Sequence, residues 1–246
     1  MNRYFQIYDA VCREVGGGEC IRDSFLGDSW AMVNTGEHCG IAMATDGESI
    51  PPLLQNGVCG IPLKSAAAAV GSWNFKEASF ALAAANCALN TPERIKALGA
   101  ECSRDTHYTN GLDFKGKTVG FVGHLKGSDT LHRDAKEIII LEREPKAGDH
   151  PDSAAELLLP KCDIVLITGS AIINKTLPHL IELCENAYTV LTGPSVPLWP
   201  GLLDVGIDMI AGMAVTDESA AAACVSQAAR KSPHSWGPAF RLTKNE

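Results

Sequence analysis

From Gly116 onward the sequence alternates short apolar runs with helical stretches, and this rhythm restricts the possible folds more than any other feature. The runs are Thr118–Val122, Glu137–Leu141, Asp163–Ile167, Tyr188–Leu191 and Ile207–Ile210. Between them fall Ser128–Ala135, Ser153–Leu159, Leu177–Asn186 and Leu198–Val205, and Asp217–Arg230 closes the series. Strands that are apolar along their whole length are buried on both faces, as in a parallel sheet covered by helices. The pattern predicts a Rossmann-like layer of five parallel strands. Right-handed crossovers are the rule, and 2-1-3-4-5 is an order that accords with it, with the topological switch between the first and third strands. Ligands of such sheets bind outside the carboxyl ends of the strands at that switch.

The first half reads differently. Met1–Val15 predicts a helix closed by Gly16, Gly17 and Gly18. Ser29–Asn34 and Gly40–Thr45 are strand-like and joined by Thr35-Gly36-Glu37, a hairpin signal. Two alanine-rich segments, Lys64–Val70 and Lys76–Leu89, and then Pro92–Leu98 read as helices whose small side chains permit close packing. Ser103–Lys115 is polar and reads as a linker. The expected class is therefore α/β: a small α+β domain over residues 1–110, then a Rossmann-like domain over residues 111–246.

Composition narrows the partners. Of the 246 residues, 46% are hydrophobic and 20% charged, too apolar a mixture for intrinsic disorder. No apolar run reaches the ~20 residues of a membrane-spanning helix. Arg3, Asp9, Arg13 and Glu14 interrupt any signal-peptide core in the first fifteen residues, so the expected location is cytoplasmic. The net charge of −8, without a Lys/Arg cluster, speaks against nucleic acid and against an anionic membrane surface as partners. Nine cysteines, an odd number without a Cys-x-x-Cys, do not form a disulfide framework, a zinc ribbon or an iron–sulfur motif.

The strand ends supply the candidate site. After the first strand comes Gly120-Phe-Val-Gly123-His124, which lacks the Gly-x-Gly-x-x-Gly of a dinucleotide site. Gly123 still permits a tight turn with exposed amides, and His124 can exchange a proton near neutrality. Glu142 ends the second strand, 19 residues beyond Gly123, where Rossmann proteins hold a ribose diol. Thr168-Gly169 follows the third strand, and Asn174 and Thr176 precede a helix that either could cap. Gly193-Pro194-Ser195 follows the fourth strand and builds a rigid loop; Ser195 lacks the Gly-x-Ser-x-Gly of a nucleophile elbow. Gly212, after the fifth, lets backbone approach whatever is bound. In the first half, Asn86 interrupts an alanine run and either bonds within the fold or closes the site from the domain junction. His38-Cys39 suggests a soft-metal pair, but two adjacent residues do not make a site.

Taken in order, Gly116–His124, Leu141-Glu142-Arg143, Cys162–Gly169, Ile173–Thr176, Thr192–Pro197 and Ala83-Ala-Ala-Asn86-Cys-Ala resemble the family called "putative heavy-metal chelation domain". The resemblance covers nearly the whole chain. It implies an enolase-amino-terminal-like first domain followed by a Rossmann-like second one, with a function linked to heavy-metal chelation. The expected activity is that of an enzyme acting in an interdomain cleft on a small polar or heterocyclic molecule, such as a metallophore, pterin or flavin-like compound, by condensation or hydrolysis. His124 would be its acid/base, Glu142 would hold hydroxyls or a second proton, and Asn174 with Gly193–Ser195 would orient substrate. Non-enzymatic binding of a metal or metal chelate is the alternative. An NAD(P)-linked enzyme is a third, from the likeness of Leu157–Val165 to 2-hydroxyacid dehydrogenases, against which the missing fingerprint glycine counts. The residues name no cofactor and no metal ligand set, and they leave a homo-oligomer open.

Overall fold

The computed structural model describes residues 3–48, 50–54, 58–103, 112–125, 134–226 and 233–244. Helix α1 (Arg3–Glu14) leads into an antiparallel meander of β1 (Asp23–Leu26), β2 (Trp30–Asn34) and β3 (Cys39–Met43). Then come α2 (Leu63–Ala67), which tightens into a 3₁₀ turn over Ala68–Gly71, α3 (Phe75–Leu89) and α4 (Pro92–Ala97). Helices α3 and α4 start where side chains can satisfy their free amides. Asn74 accepts from the Glu77 amide, and Thr91 accepts from the Arg94 amide with Pro92 in the first turn.

The alternation of β2 and β3 divides the meander into two faces. Ala31, Val33 and Ala42 join the core around α3, while Met32, Cys39 and Ile41 face the other way. On the α3 side the approach is backbone to backbone. A Cβ on Gly40 would lie 2.1 Å from the Cys87 amide nitrogen and 2.2 Å from the Ala83 carbonyl oxygen. The alanines Ala81, Ala83, Ala84 and Ala85 are buried and leave α3 slim enough for this contact.

The second half begins with β4 (Glu101–Ser103), β5 (Thr118–Val122), β6 (Glu137–Glu142) and the two-residue β7 (His150–Pro151). It continues with α5 (Ala155–Leu158), β8 (Ile164–Thr168), α6 (Ser170–Ile173), α7 (Leu177–Leu183) and β9 (Tyr188–Thr192). After a 3₁₀ segment over Pro200–Val205 come β10 (Met209–Met213), α8 (Glu218–Ser226) and β11 (Ala239–Thr243). The sheet order is β4-β11-β10-β9-β8-β5-β6-β7. The five expected strands β5, β6, β8, β9 and β10 are all parallel and stand in the expected 2-1-3-4-5 order.

The sheet is larger than five strands. β11 pairs antiparallel with β10, and β4 with β11, so the first residue of the stretch read as a linker, Ser103, is the last of a strand. β4 ends the sheet on that side with β11 between it and β10, the two-residue β7 extends the other side beyond β6, and none of the three has the all-apolar signature. The boundary expected at residue 110, and most of the helix expected over Ser128–Ala135, lie outside the described residues. Helices on both faces were also expected. Among the described residues, side chains of α5, α6 and α7 instead join the core that the sheet shares with the first half. The opposite face, with Val119, Phe121, Leu166 and Val190, is met by Leu112, Phe114, Leu125 and Ala135. No described helix is long and apolar enough to cross a membrane.

The halves share their cores. Side chains of α8, Val215 and Trp236 cover the outer face of the meander, and Trp236 meets Trp30 edge to face with ring centroids 5.9 Å apart. Because the β3–α3 contact has no room for a methyl group, Gly40→Ala is expected to lower stability by roughly 3 kcal/mol or more. Gly16→Ala, where an added Cβ meets nothing within 4 Å, should stay within about 0.5 kcal/mol of the parent. Urea midpoints of the two variants against the parent check this.

Candidate functional site

The carboxyl ends of β5 and β6 meet around His124. Gly123 takes a φ of +95°, and a Cβ there would lie 3.0 Å from the Thr168 methyl, so glycine lets β5 turn over the end of β8. Its amide donates to the Leu141 carbonyl at 2.9 Å. The next amide, that of His124, donates to Glu142 Oε2 at 2.7 Å, while Oε1 accepts from the Arg143 amide at 2.9 Å. Glu142 thus holds the backbone of His124.

The ring is held by a residue the sequence did not single out. His124 Nδ1 lies 3.1 Å from Asp149 Oδ2, and the same oxygen accepts from the Lys146 amide at 3.0 Å. Burial opposes ionisation of Asp149, but the Lys146 amide and the His124 ring outweigh it and hold the carboxyl below the usual carboxylate range. The Asp149 side chain is 3% exposed and that of His124 20%. The ring therefore stands at the surface of the carboxyl edge on a buried support.

The other expected residues divide into two groups. Asn86 and Ser195 join the halves. Asn86 Nδ2 donates to the Ile41 and Ser195 carbonyls at 2.8 and 3.1 Å, and Ser195 Oγ accepts from the Met43 amide at 2.8 Å. Asn90, one helical turn on, repeats the pattern: it donates to the Val196 and Met213 carbonyls and accepts from the Leu198 amide at 2.7 Å. The signal for Asn90 was its i, i+4 spacing from Asn86 on the same helix face. Gly193 (φ +121°) and Pro194 shape this loop. Gly212 lies under it: a Cβ there would be 2.5 Å from the Val196 carbonyl oxygen, so Gly212 makes room for protein backbone. Gly169 does likewise against Val196.

Asn174 and Thr176 form a local turn ahead of α7. Asn174 Oδ1 accepts from the Thr176 amide at 3.1 Å and from its hydroxyl at 2.6 Å. Thr168 Oγ1 pairs with Ser170 Oγ at 3.2 Å. Of the expected site, the structure brings Gly123, His124, Glu142 and Thr168 together. Asn86, Ser195 and Gly212 it gives to the junction between the halves.

Lys175, between Asn174 and Thr176, has a φ of +67° and points inward. Its Nζ donates to the Val70 and Ile173 carbonyls at 2.8 and 2.7 Å and sits over the rings of Tyr8 and Phe75. Burial brings its pKa down to about 8. Between that value and 10.5, the unfolded chain carries a proton that the folded one has released, so stability rises with pH across this window. The stability difference between wild type and Lys175→Met should therefore shift in favour of wild type by roughly 3 kcal/mol or less from pH 7.5 to 10.5. Urea titrations of both proteins at each pH read it, and the thiols they share cancel.

Among the described residues the cysteines do not assemble a soft-metal site. Burial pushes the Cys39 thiol up, and that of Cys87 to about 12; Cys87 donates to the His38 carbonyl. The His38 ring lies between Glu19 (3.3 Å) and Glu93 (3.5 Å). Among the described residues no three His, Cys, Asp or Glu side chains converge to hold a metal ion, so a resident metal centre does not fit them. Iodoacetamide at neutral pH should label the exposed Cys20, Cys59 and Cys102 in the native protein and reach buried Cys39, Cys87, Cys162 and Cys184 only in denaturant. Peptide mass mapping checks this. A cavity of about 480 Å³ lies at the opposite, amino edge of the sheet, between α1, α7 and the turn into β10.

A Rossmann-like sheet locked to an antiparallel meander, with a histidine–carboxylate pair at the switch edge, defines the structural class. The profile of the DUF364 family, described as "Putative heavy-metal chelation", matches residues 111–237, and that of DUF4213, with the same description, matches residues 8–89. The chain belongs to this family. A crystal structure of a DUF364 protein of unknown function from Desulfitobacterium hafniense is 34% identical, covers 98% of both chains and superposes with a TM-score of 0.88. A second, from Pyrococcus horikoshii, is 20% identical with a TM-score of 0.79 over 99% of this chain and all of that one; it shows the fold alone. An uncharacterized protein of Methanocaldococcus jannaschii is 31% identical over 111 residues. That match spans 43% of this chain and 41% of the relative.

Proposed function

We propose that this chain acts on a small polar or heterocyclic molecule at the carboxyl edge of its parallel sheet, with His124 moving a proton. The single observation that supports this most is the placement of His124. It stands at the end of β5, next to the β5–β8 switch, partly exposed, with its backbone held by Glu142 and its ring by Asp149. A histidine fixed in this way suits general acid/base work, where geometry comes before pKa. Among the described residues the strand-end amides of Gly123 and Gly169 are bonded to carbonyls, so these two do not cradle a phosphate. This argues against the NAD(P)-linked alternative.

The second reading, binding of a metal chelate as cargo, draws on the family description and on one feature of the site. A histidine whose Nδ1 bonds a carboxylate is also how metal-ligating imidazoles are oriented. The absence of a converging ligand set among the described residues makes it the weaker reading.

Mass spectrometry and elemental analysis of ligands retained by anaerobically purified wild type and His124→Ala separate these. The expected result is a polar organic molecule held by wild type and lost, at least tenfold, from His124→Ala with an unchanged melting temperature. Stoichiometric metal lost with the same substitution would replace the first reading by the second. Equal retention by both proteins would overturn both.

A further inference from the structure

Asp149 is fixed independently of the ring it touches. Its amide closes a turn onto the Lys146 carbonyl at 3.0 Å, and Gly148, with a φ of +100°, supplies the left-handed third position. The next residue, His150, pairs with Leu141 of β6. Its Oδ2 takes the Lys146 amide as well as the ring. The carboxylate is thus tied to the end of β6 by backbone on both sides, ready to receive an imidazole from β5.

An ionised carboxylate only accepts hydrogen bonds, so the nitrogen facing it must carry a hydrogen. In the neutral ring that leaves the lone pair on Nε2. Glu142 adds a second constraint, since it holds the His124 amide at 2.7 Å and so sets the strand end from which the ring projects. Two carboxylates from one loop region divide the work: Glu142 places the backbone and Asp149 selects the ring's form.

We infer that Asp149 is the positioning residue of this site, holding the neutral ring of His124 with its hydrogen on Nδ1. The inference deepens the proposed acid/base function and rests on it. It assigns Asp149 no contact with substrate. A carboxylate that served only to close its turn would leave the tautomer of His124 indifferent to its removal.

Imidazole ¹⁵N chemical shifts test this directly, with His124→Ala assigning the signals. At a pH where the ring is neutral, wild type is expected to show pyrrole-type Nδ1 and pyridine-type Nε2. In Asp149→Ala the two should exchange, because free histidine in water prefers the hydrogen on Nε2. Asp149→Ser keeps an oxygen for the Lys146 amide and guards against loss of the turn; the same exchange is expected there. A wild-type ring with its hydrogen on Nε2 overturns the inference, even if neither variant folds. So does an unchanged pattern in both variants. If the exchange occurs yet His124→Ala retains its ligand, the fault lies with the proposed role of His124 and not with the pairing.

Discussion

The contact on which the rest of the architecture depends is the one between the backbones of β3 and α3. Gly40 brings a strand within touching distance of a helix whose facing side is almost all alanine. That approach sets Asn86 and Asn90 at the depth where their amides reach across to the 195–198 loop and the end of β10. Buried amides without partners are costly, so four carbonyls and one amide satisfied by two side chains define how the halves sit together. Asn86 Oδ1 and Thr192 Oγ1 are buried without a partner in the same region, so the junction is not saturated. α8 and Trp236 then close the far side of the meander and complete a three-layer arrangement.

With the junction committed to packing, the histidine–carboxylate pair stands at the other end of the switch edge. There β5 and β6 finish beside each other, and the polar loop after β6 folds back onto its own strand through β7. This return brings Asp149 under His124. Lys175 shows the opposite economy: a cation drawn inside by two carbonyls and two rings, with its pKa lowered by burial. Its positive φ aims it into the first half, which ties α1 and α3 to the loop ahead of α7.

Strand composition determined much of this protein. The runs from Thr118 to Ile210 are apolar without alternation, which a doubly buried parallel sheet accommodates. Gly123, His124, Glu142 and Thr168 were legible as strand-end residues for the same reason. The added strands β4 and β11 were not, because neither is apolar along its whole length and β4 pairs with a segment remote in sequence. Nor could sequence say which polar residues face each other. Asn86 could equally bond protein or ligand until the loop after β9 was seen against it. Glu142 ends β6 and Asp149 follows in the loop beyond it, and only the turn at Lys146–Asp149 decides that the second meets the ring while the first holds the backbone. Local pattern sets which residues reach an edge; the direction of each side chain there is a property of contacts between segments far apart in the chain.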